Sequence, residues 1–345
     1  MAKTDSTNKI LLSAEKKYLK SIELFGGQIQ QSYKEAKRIE LPKSYSVVNK
    51  VVACGMGGSN LGVDLIRHLY SDKIRVPIIQ IRNYNLPRFV DNKTLVLLIS
   101  YSGNTEEIIT LFKRAVARKY KIIVIASDGI LAKQARAGNV PAYIFDPINN
   151  PSGQPRMGTG YIIGSVLTIM KKLKLVDLSE DQIKKMFAKI NVEKLKFNVN
   201  TIAKKIKDKV PIIVATEFLQ GNAHIMANQI NESAKQLSAY HFIPELNHHL
   251  MEGLAFPKTN KNNFYVLFFF SQNYQQRNKK RYRVTQQVVA QSKFLFSQIE
   301  FKGDKISQAM QMLIFGSLLS YRLAKLNRVN PSQTPWVDFF KQRMK

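Results

Sequence analysis

The chain has 345 residues, a hydrophobic fraction of 45% and a formal net charge of +29. That is room for two domains or one large one around a real core. No apolar run approaches the ~20 residues that cross a bilayer, and the single cysteine, Cys54, excludes an internal disulfide.

The large positive charge raises nucleic-acid binding as a reading. The cations are spread along the whole chain, however, and runs such as Lys171-Lys172 and Lys279-Lys280-Arg281 are short. Solvated helix faces explain them better. The charge would attract anionic substrates and give weak, salt-sensitive contact with nucleic acid without specificity. The start of the chain lacks a long apolar core and a cleavage site, so no signal peptide is expected. Cys54 in a strand reads as a small buried hydrophobe, consistent with a cytoplasmic protein.

Residues 10–40 carry a helical pattern with Tyr18, Ile22, Leu24 and Phe25 on its apolar positions. Strands are expected at 51–54, 76–81, 95–99, 122–126 and 141–145. Helices are expected at about 60–70, 105–118 and 129–137, followed by one at 159–172. Strands and helices alternating at this spacing predict an α/β fold, with a doubly wound parallel sheet covered on both faces. Residues 146–158 form a loop rich in Pro, Gly and Asn. Lys171 to Asp208 is polar and helical, and the domain change is placed there. A second α/β unit follows, with strands at 210–215, 264–270 and 294–301 and helices at 221–236, 275–292 and 304–326. The expected division is a helical segment 1–44, a first unit 45–175, a connection 176–208 and a second unit 209–345.

Two turns of the first unit carry chemistry. Leu95 to Ile99 is continuously apolar, as a strand buried on both faces would be. It ends in Ser100-Tyr101-Ser102-Gly103-Asn104-Thr105, and a helix starts near Thr105 with Glu106 and Glu107 in its first turn. A helix N-terminus offers unpaired N–H groups to an anion. Ser100, Ser102 and Thr105 add hydroxyls around the same point, which suits a phosphate monoester. The plain alternative is a βα turn with a threonine cap. The other turn is Gly55-Met56-Gly57-Gly58-Ser59-Asn60, after the strand 51–54. Its glycines permit close backbone approach, but the spacing is neither a Walker loop nor G-x-G-x-x-G.

Together, GMGGS and ISYSGNTEE resemble the sugar isomerase domain family, and within it the bifunctional phosphoglucose/phosphomannose isomerases. The resemblance runs from about residue 45 to 341. It implies two tandem α/β sugar isomerase subdomains, an aldose–ketose isomerase of hexose phosphates, no cofactor, and a homodimer. By that resemblance Ser100, Ser102 and Thr105 hold the phosphate. Gly57, Gly58 and Ser59 lie near the sugar. Arg156, in PSGQPRMGTGY, matches the arginine of a family loop; guanidinium offers a planar set of donors suited to a developing negative charge. Glu232, in NESAK, matches the family's glutamate base. His248, in PELNH sixteen residues later, maps to the ring-opening histidine. Thr334 and Lys341 fit the family's closing segment, although Ser332-Gln333 reads as an insertion. His249, Leu250, Met251 and Glu252 depart from the family pattern, as does Asp128. His248 and His249 have no third ligand at useful spacing, so no metal is expected. Two rival readings stand beside this one. The first is an isomerase of another sugar or aminosugar phosphate. The second is a phosphosugar sensor without turnover, against which the presence of both Glu232 and His248 counts.

Overall fold

The computed structural model describes residues 2–188 and 190–344. The chain falls into two compact units, one of Leu24–Lys189 and one joining Met1–Glu23 to Ile190–Lys345. The N-terminal helical pattern is therefore two helices that part company. α1 (Ala2–Glu23) belongs with the C-terminal half, and α2 (Phe25–Ala36) with the other unit.

The unit of Leu24–Lys189 continues with β1 (Lys50–Cys54), α3 (Gly58–Leu69), β2 (Ile78–Ile81), β3 (Thr94–Ser100), α4 (Glu106–Ala117), β4 (Lys121–Ala126), α5 (Gly129–Ala137), β5 (Ala142–Ile144), α6 (Thr159–Lys172) and α7 (Glu180–Lys185). The five strands form one parallel sheet in the order β2-β1-β3-β4-β5. Every residue of β3 is buried, as its unbroken apolar run demands. Val52, Cys54, Val96 and Leu98 share a core with Ile108, Leu111 and Phe112 of α4 and Leu131 and Ala132 of α5. β2 starts at Ile78 rather than residue 76, because Pro77 has no N–H for the ladder, although its carbonyl accepts from Val51 at 2.9 Å.

Sheet order decides where the turns lie. From β1 the chain crosses to β2 on one side, and from β3 it crosses to β4 on the other. β1 and β3 are direct neighbours, with Val51 opposite Leu95 and Cys54 opposite Leu98. Their carboxyl ends form the switch point where parallel sheets open a crevice. Both motif turns leave from that point.

The other unit carries α8 (Val192–Ile206), β6 (Val210–Ala215), α9 (Gln220–Gln229), β7 (Ala239–Phe242), the single turns α10 (Leu250–Gly253) and α11 (Asn260–Asn263), β8 (Phe264–Phe270), α12 (Gln276–Gln291), β9 (Leu295–Glu300), α13 (Lys305–Leu326) and α14 (Pro335–Arg343). Its sheet is parallel, in the order β7-β6-β8-β9. β7 and the single turns α10 and α11 are additional to the elements expected from sequence, and α14 follows the expected helix 304–326 at the C-terminal end. β7 is four half-buried residues long and carries no apolar run, and α14 is exposed throughout. The expected helix 221–236 is α9 plus a π turn at Ile230–Ala234, closed by Lys235 at φ +53°. Among the described residues no helix is long and apolar enough to cross a membrane.

Candidate active site

At the first turn, Gly57 takes φ +48°, a conformation glycine adopts at little cost. Gly58 is required for a different reason: a Cβ there would lie 2.8 Å from the Arg156 backbone nitrogen. The Ser59 hydroxyl accepts the Tyr101 N–H at 2.9 Å, so the first turn is bonded directly to the second. The Asn60 side chain donates to the Gly55 carbonyl at 3.0 Å and closes the turn on itself.

At the second turn, Gly103 has φ +68°, and a Cβ would fall 1.6 Å from the Asp128 carbonyl oxygen. The Leu131 N–H donates to the Gly103 carbonyl at 2.9 Å, and the Ile130 N–H to Asn104 Oδ1 at 3.1 Å. The start of α5 thus braces the turn from outside. Ser100 is fully buried, and its hydroxyl pairs with that of Thr105 at 2.7 Å. Thr105 occupies the N-cap position of α4 but makes no side-chain capping bond. The threonine side chain therefore takes none of the first-turn N–H groups of α4, of which that of Ile108 donates to the Thr105 carbonyl at 3.1 Å. Ser102 is exposed beside them, its hydroxyl accepting the Asn104 N–H at 3.3 Å.

Arg156 completes this cluster. It lies in a single 3-10 turn, Pro155–Met157, and is 2% exposed. Nη1 donates to Gln154 Oε1 at 3.1 Å. Burying a guanidinium is costly unless its donors are satisfied, so such a position is maintained by the loop around it. That loop is tied back to the second turn. Asn150 donates to the Tyr101 hydroxyl at 2.7 Å and to the Gln154 carbonyl at 2.9 Å. Burial pushes the Tyr101 phenol up to about 12, so it stays protonated at neutral pH. Gly158 sits against the Tyr101 ring, where a Cβ would meet Cε2 at 2.2 Å. Tyr101, Asn150 and Gln154 were not among the residues singled out from sequence. Tyr101 lies inside the hydroxyl-rich turn and was the readable signal; the partners of the two loop amides leave no mark in sequence.

The structure thus brings together Gly57, Gly58, Ser59, Ser100, Ser102, Thr105 and Arg156. Glu232, His248, Thr334 and Lys341 belong to the other unit. Glu232 is half-buried on the π turn. The Tyr18 hydroxyl, from α1, meets Ser233 Oγ at 2.7 Å and anchors that turn. Asn231 holds the segment after it, accepting the Ser238 N–H at 2.8 Å and donating to its carbonyl at 3.1 Å. His248 is exposed at the end of a short 3-10 turn, Glu245–His248, which Asn247 pins to Thr285 at 2.7 Å. Thr334 is half-buried just before α14, and Lys341 is exposed on that helix. Burial, and secondarily the nearby His249, lowers the pKa of His241 on β7. Among the described residues no three His, Cys, Asp or Glu side chains gather as a metal site requires.

Residues 198–344 match the family described as the bacterial phospho-glucose isomerase C-terminal SIS domain. The bifunctional phosphoglucose/phosphomannose isomerase of Caldicellulosiruptor bescii is 30% identical over 332 residues, covering 92% of this chain and 96% of that one. The enzyme of the same name from Thermoplasma volcanium is 31% identical over 315 residues, covering 89% and 96%. Among solved structures, the C-terminal domain of glucosamine-fructose-6-phosphate aminotransferase from Francisella tularensis superposes with a TM-score of 0.72 at 15% identity. That match covers 92% of this chain and 98% of that one, and shows a shared fold.

Proposed function

The chain belongs to the family of bifunctional phosphoglucose/phosphomannose isomerases, and from that membership we propose a phosphohexose isomerase that interconverts glucose 6-phosphate and mannose 6-phosphate with fructose 6-phosphate. The observation that carries the reading is the paired turn at the β1/β3 switch point, bonded through Ser59 and backed by buried Arg156. It supports a reading in which anion donors and a guanidinium serve one substrate.

In this reading the phosphate rests on the α4 N-terminus with the hydroxyls of Ser102 and Thr105, and Ser100 holds Thr105 in place. Gly57, Gly58 and Ser59 present backbone to the sugar. His248 moves the proton between the ring oxygen and the anomeric hydroxyl, as an imidazole near neutrality can. Glu232 takes the C2 proton and returns it at C1. Arg156 balances the enediolate that forms between these steps. Thr334 and Lys341 contribute from the last segment. The electrons stay within the substrate, so the reaction requires no cofactor. Removing the C2 proton erases the difference between glucose and mannose, and a site with small residues at 57–59 has room to reprotonate either face. A cytoplasmic homodimer completes the proposal.

Fructose 6-phosphate offered to the protein should yield both aldose phosphates. Glu232→Gln should abolish that conversion and the exchange of the C1 and C2 protons with heavy water. The Ser102→Ala, Thr105→Ala pair should weaken phosphosugar binding by about 1–3 kcal/mol, the worth of charge-assisted hydrogen bonds. Native-rate exchange in Glu232→Gln would place the base elsewhere. Phosphosugar binding without any aldose formed would leave a sensor.

A further inference from the structure

Helix α12 (Gln276–Gln291) is built against its own electrostatics. Its first two turns hold Arg277, Lys279, Lys280, Arg281 and Arg283, and the helix has no Asp or Glu. Cations near a helix N-terminus oppose the dipole, and like charges three or four apart repel. Arg277 stands at those spacings from Lys280 and Arg281, and Arg283 from Lys279 and Lys280. Arg277, Lys280 and Arg283 are exposed, and Lys279 and Arg281 are half-buried. Among the described residues none of the five forms a salt bridge. The acid recorded against the helix start is Glu217, which accepts the Gln275 N–H at 2.9 Å and the Asn278 side chain at 2.7 Å. Elsewhere this chain does pair lysines with acids at helical spacing, as at Lys196–Glu193 and Lys20–Glu23. The burial of Tyr282, Thr285 and Val289 fixes which side of α12 packs, and the cations lie off that side.

We propose that this face of α12 binds the phosphate backbone of nucleic acid without reading its sequence. Glu217 at the helix start and the Gln272 carbonyl, which accepts from Lys279 Nζ at 3.2 Å, answer part of this charge; a local arrangement that works against helix stability and stays mostly uncompensated marks a surface with an external partner. Guanidinium and ammonium groups repeated along a helix, beside the exposed amides Gln276 and Gln287, match a row of phosphates, and the lone exposed Val284 among them is too little apolar surface for a protein core. An acidic protein segment would meet the same charges, and the test separates the two.

The test is fluorescence anisotropy of a labelled 20-nucleotide RNA, the same DNA sequence, and a poly-glutamate peptide of equal charge, across a salt series. The full-length protein is compared with the Arg277→Gln, Lys280→Gln, Arg281→Gln triple variant. Single-stranded binding loses affinity with a log–log salt slope of about −0.7 per phosphate neutralised, so the variant should lose ~100-fold at 0.1 M salt and ~2 units of slope. Equal loss on RNA and DNA is expected, since the contact is to backbone phosphate. Arg277 and Lys280 are exposed and Arg281 is half-buried, so an unchanged melting temperature certifies the fold of the triple variant; should it melt early, single substitutions at Arg277 and Lys280 carry the same comparison at ~5-fold each. Unchanged affinity and slope in the variants would assign any binding to the diffuse charge of the chain and overturn the proposal. Tighter binding of poly-glutamate than of either oligonucleotide would overturn it in favour of a protein partner.

Discussion

Gly58 shows how one missing side chain can hold a site together. Its Cβ would meet the Arg156 nitrogen at 2.8 Å and the Arg156 Cα at 2.9 Å, both backbone atoms that cannot swing aside. Gly58→Ala should therefore push the 155–157 turn outward and move the guanidinium with it. The expected cost is about 1–3 kcal/mol of stability, as for overpacking a core. Isomerase kcat/KM should fall at least ~10-fold, since a misplacement of about 1 Å is worth up to ~100-fold in rate. Gly57→Ala is the internal comparison. Nothing lies within 4 Å of its Cβ position, so its cost is the strain of φ +48° alone, of order 1 kcal/mol. Steady-state kinetics with thermal melts of both variants checks this. Equal effects on kcat/KM would mean that the closeness of Gly58 to Arg156 is incidental.

At the scale of elements, α2 and α6 pack through Gly160 and Gly164. A Cβ on Gly164 would lie 2.1 Å from Ser32 Oγ and 2.6 Å from the Ile29 carbonyl, and one on Gly160 would lie 2.8 Å from Gln28 Cβ. Gly164→Ala should separate the two helices at a cost of about 3 kcal/mol, read as a lowered denaturation midpoint with an unchanged m-value. β7 supports a pH prediction. Burial favours the neutral ring of His241 in the folded chain, so the unfolded chain takes up the proton first. Stability should be constant above the ordinary histidine value of about 6.5, then fall as pH drops below it towards the lowered folded value. His241→Gln should flatten that acid limb in urea titrations; an unchanged limb would place the proton uptake on another group. The same strand shows where sequence becomes illegible. Strands such as 95–99, fully buried, and 210–215, buried from Pro211 onward, announce themselves by runs free of polar residues. β7, Ala-Tyr-His-Phe at a sheet edge, is half-buried at all four residues and has no such run. The π turn at 230–234 was equally hidden, because its side-chain spacing reads as a continued helix until Lys235 turns left-handed. For the turns at 55–60 and 100–105 the opposite holds. Hydroxyls, glycines and a helix start are local features, so they are readable. The bond from Tyr101 to Ser59 spans 42 residues and needed the fold.

For the whole molecule, the charge of +29 is the quantity the site chemistry leaves unexplained. Salt bridges among exposed groups absorb little of it, and exposed pairs contribute little to stability. A field of that sign should draw a phosphosugar dianion to the protein before any specific contact forms. It should also fade with salt, because the screening length drops from about 30 Å at 0.01 M to about 8 Å at 0.15 M ionic strength. KM for fructose 6-phosphate should therefore rise several-fold between those two conditions, with kcat nearly constant because the bound complex is screened far less. Inorganic phosphate, held as an inhibitor by the same turn, should weaken in parallel. Fructose without its phosphate should show no such dependence in any turnover it retains. The Ser102→Ala, Thr105→Ala variant separates the distant field from local bonds: its KM starts higher, yet its salt dependence should match that of the unaltered chain. If KM stays flat from 0.01 to 0.15 M, the cations of this chain are too dispersed to guide a small anion, and the phosphate is captured by the α4 turn alone.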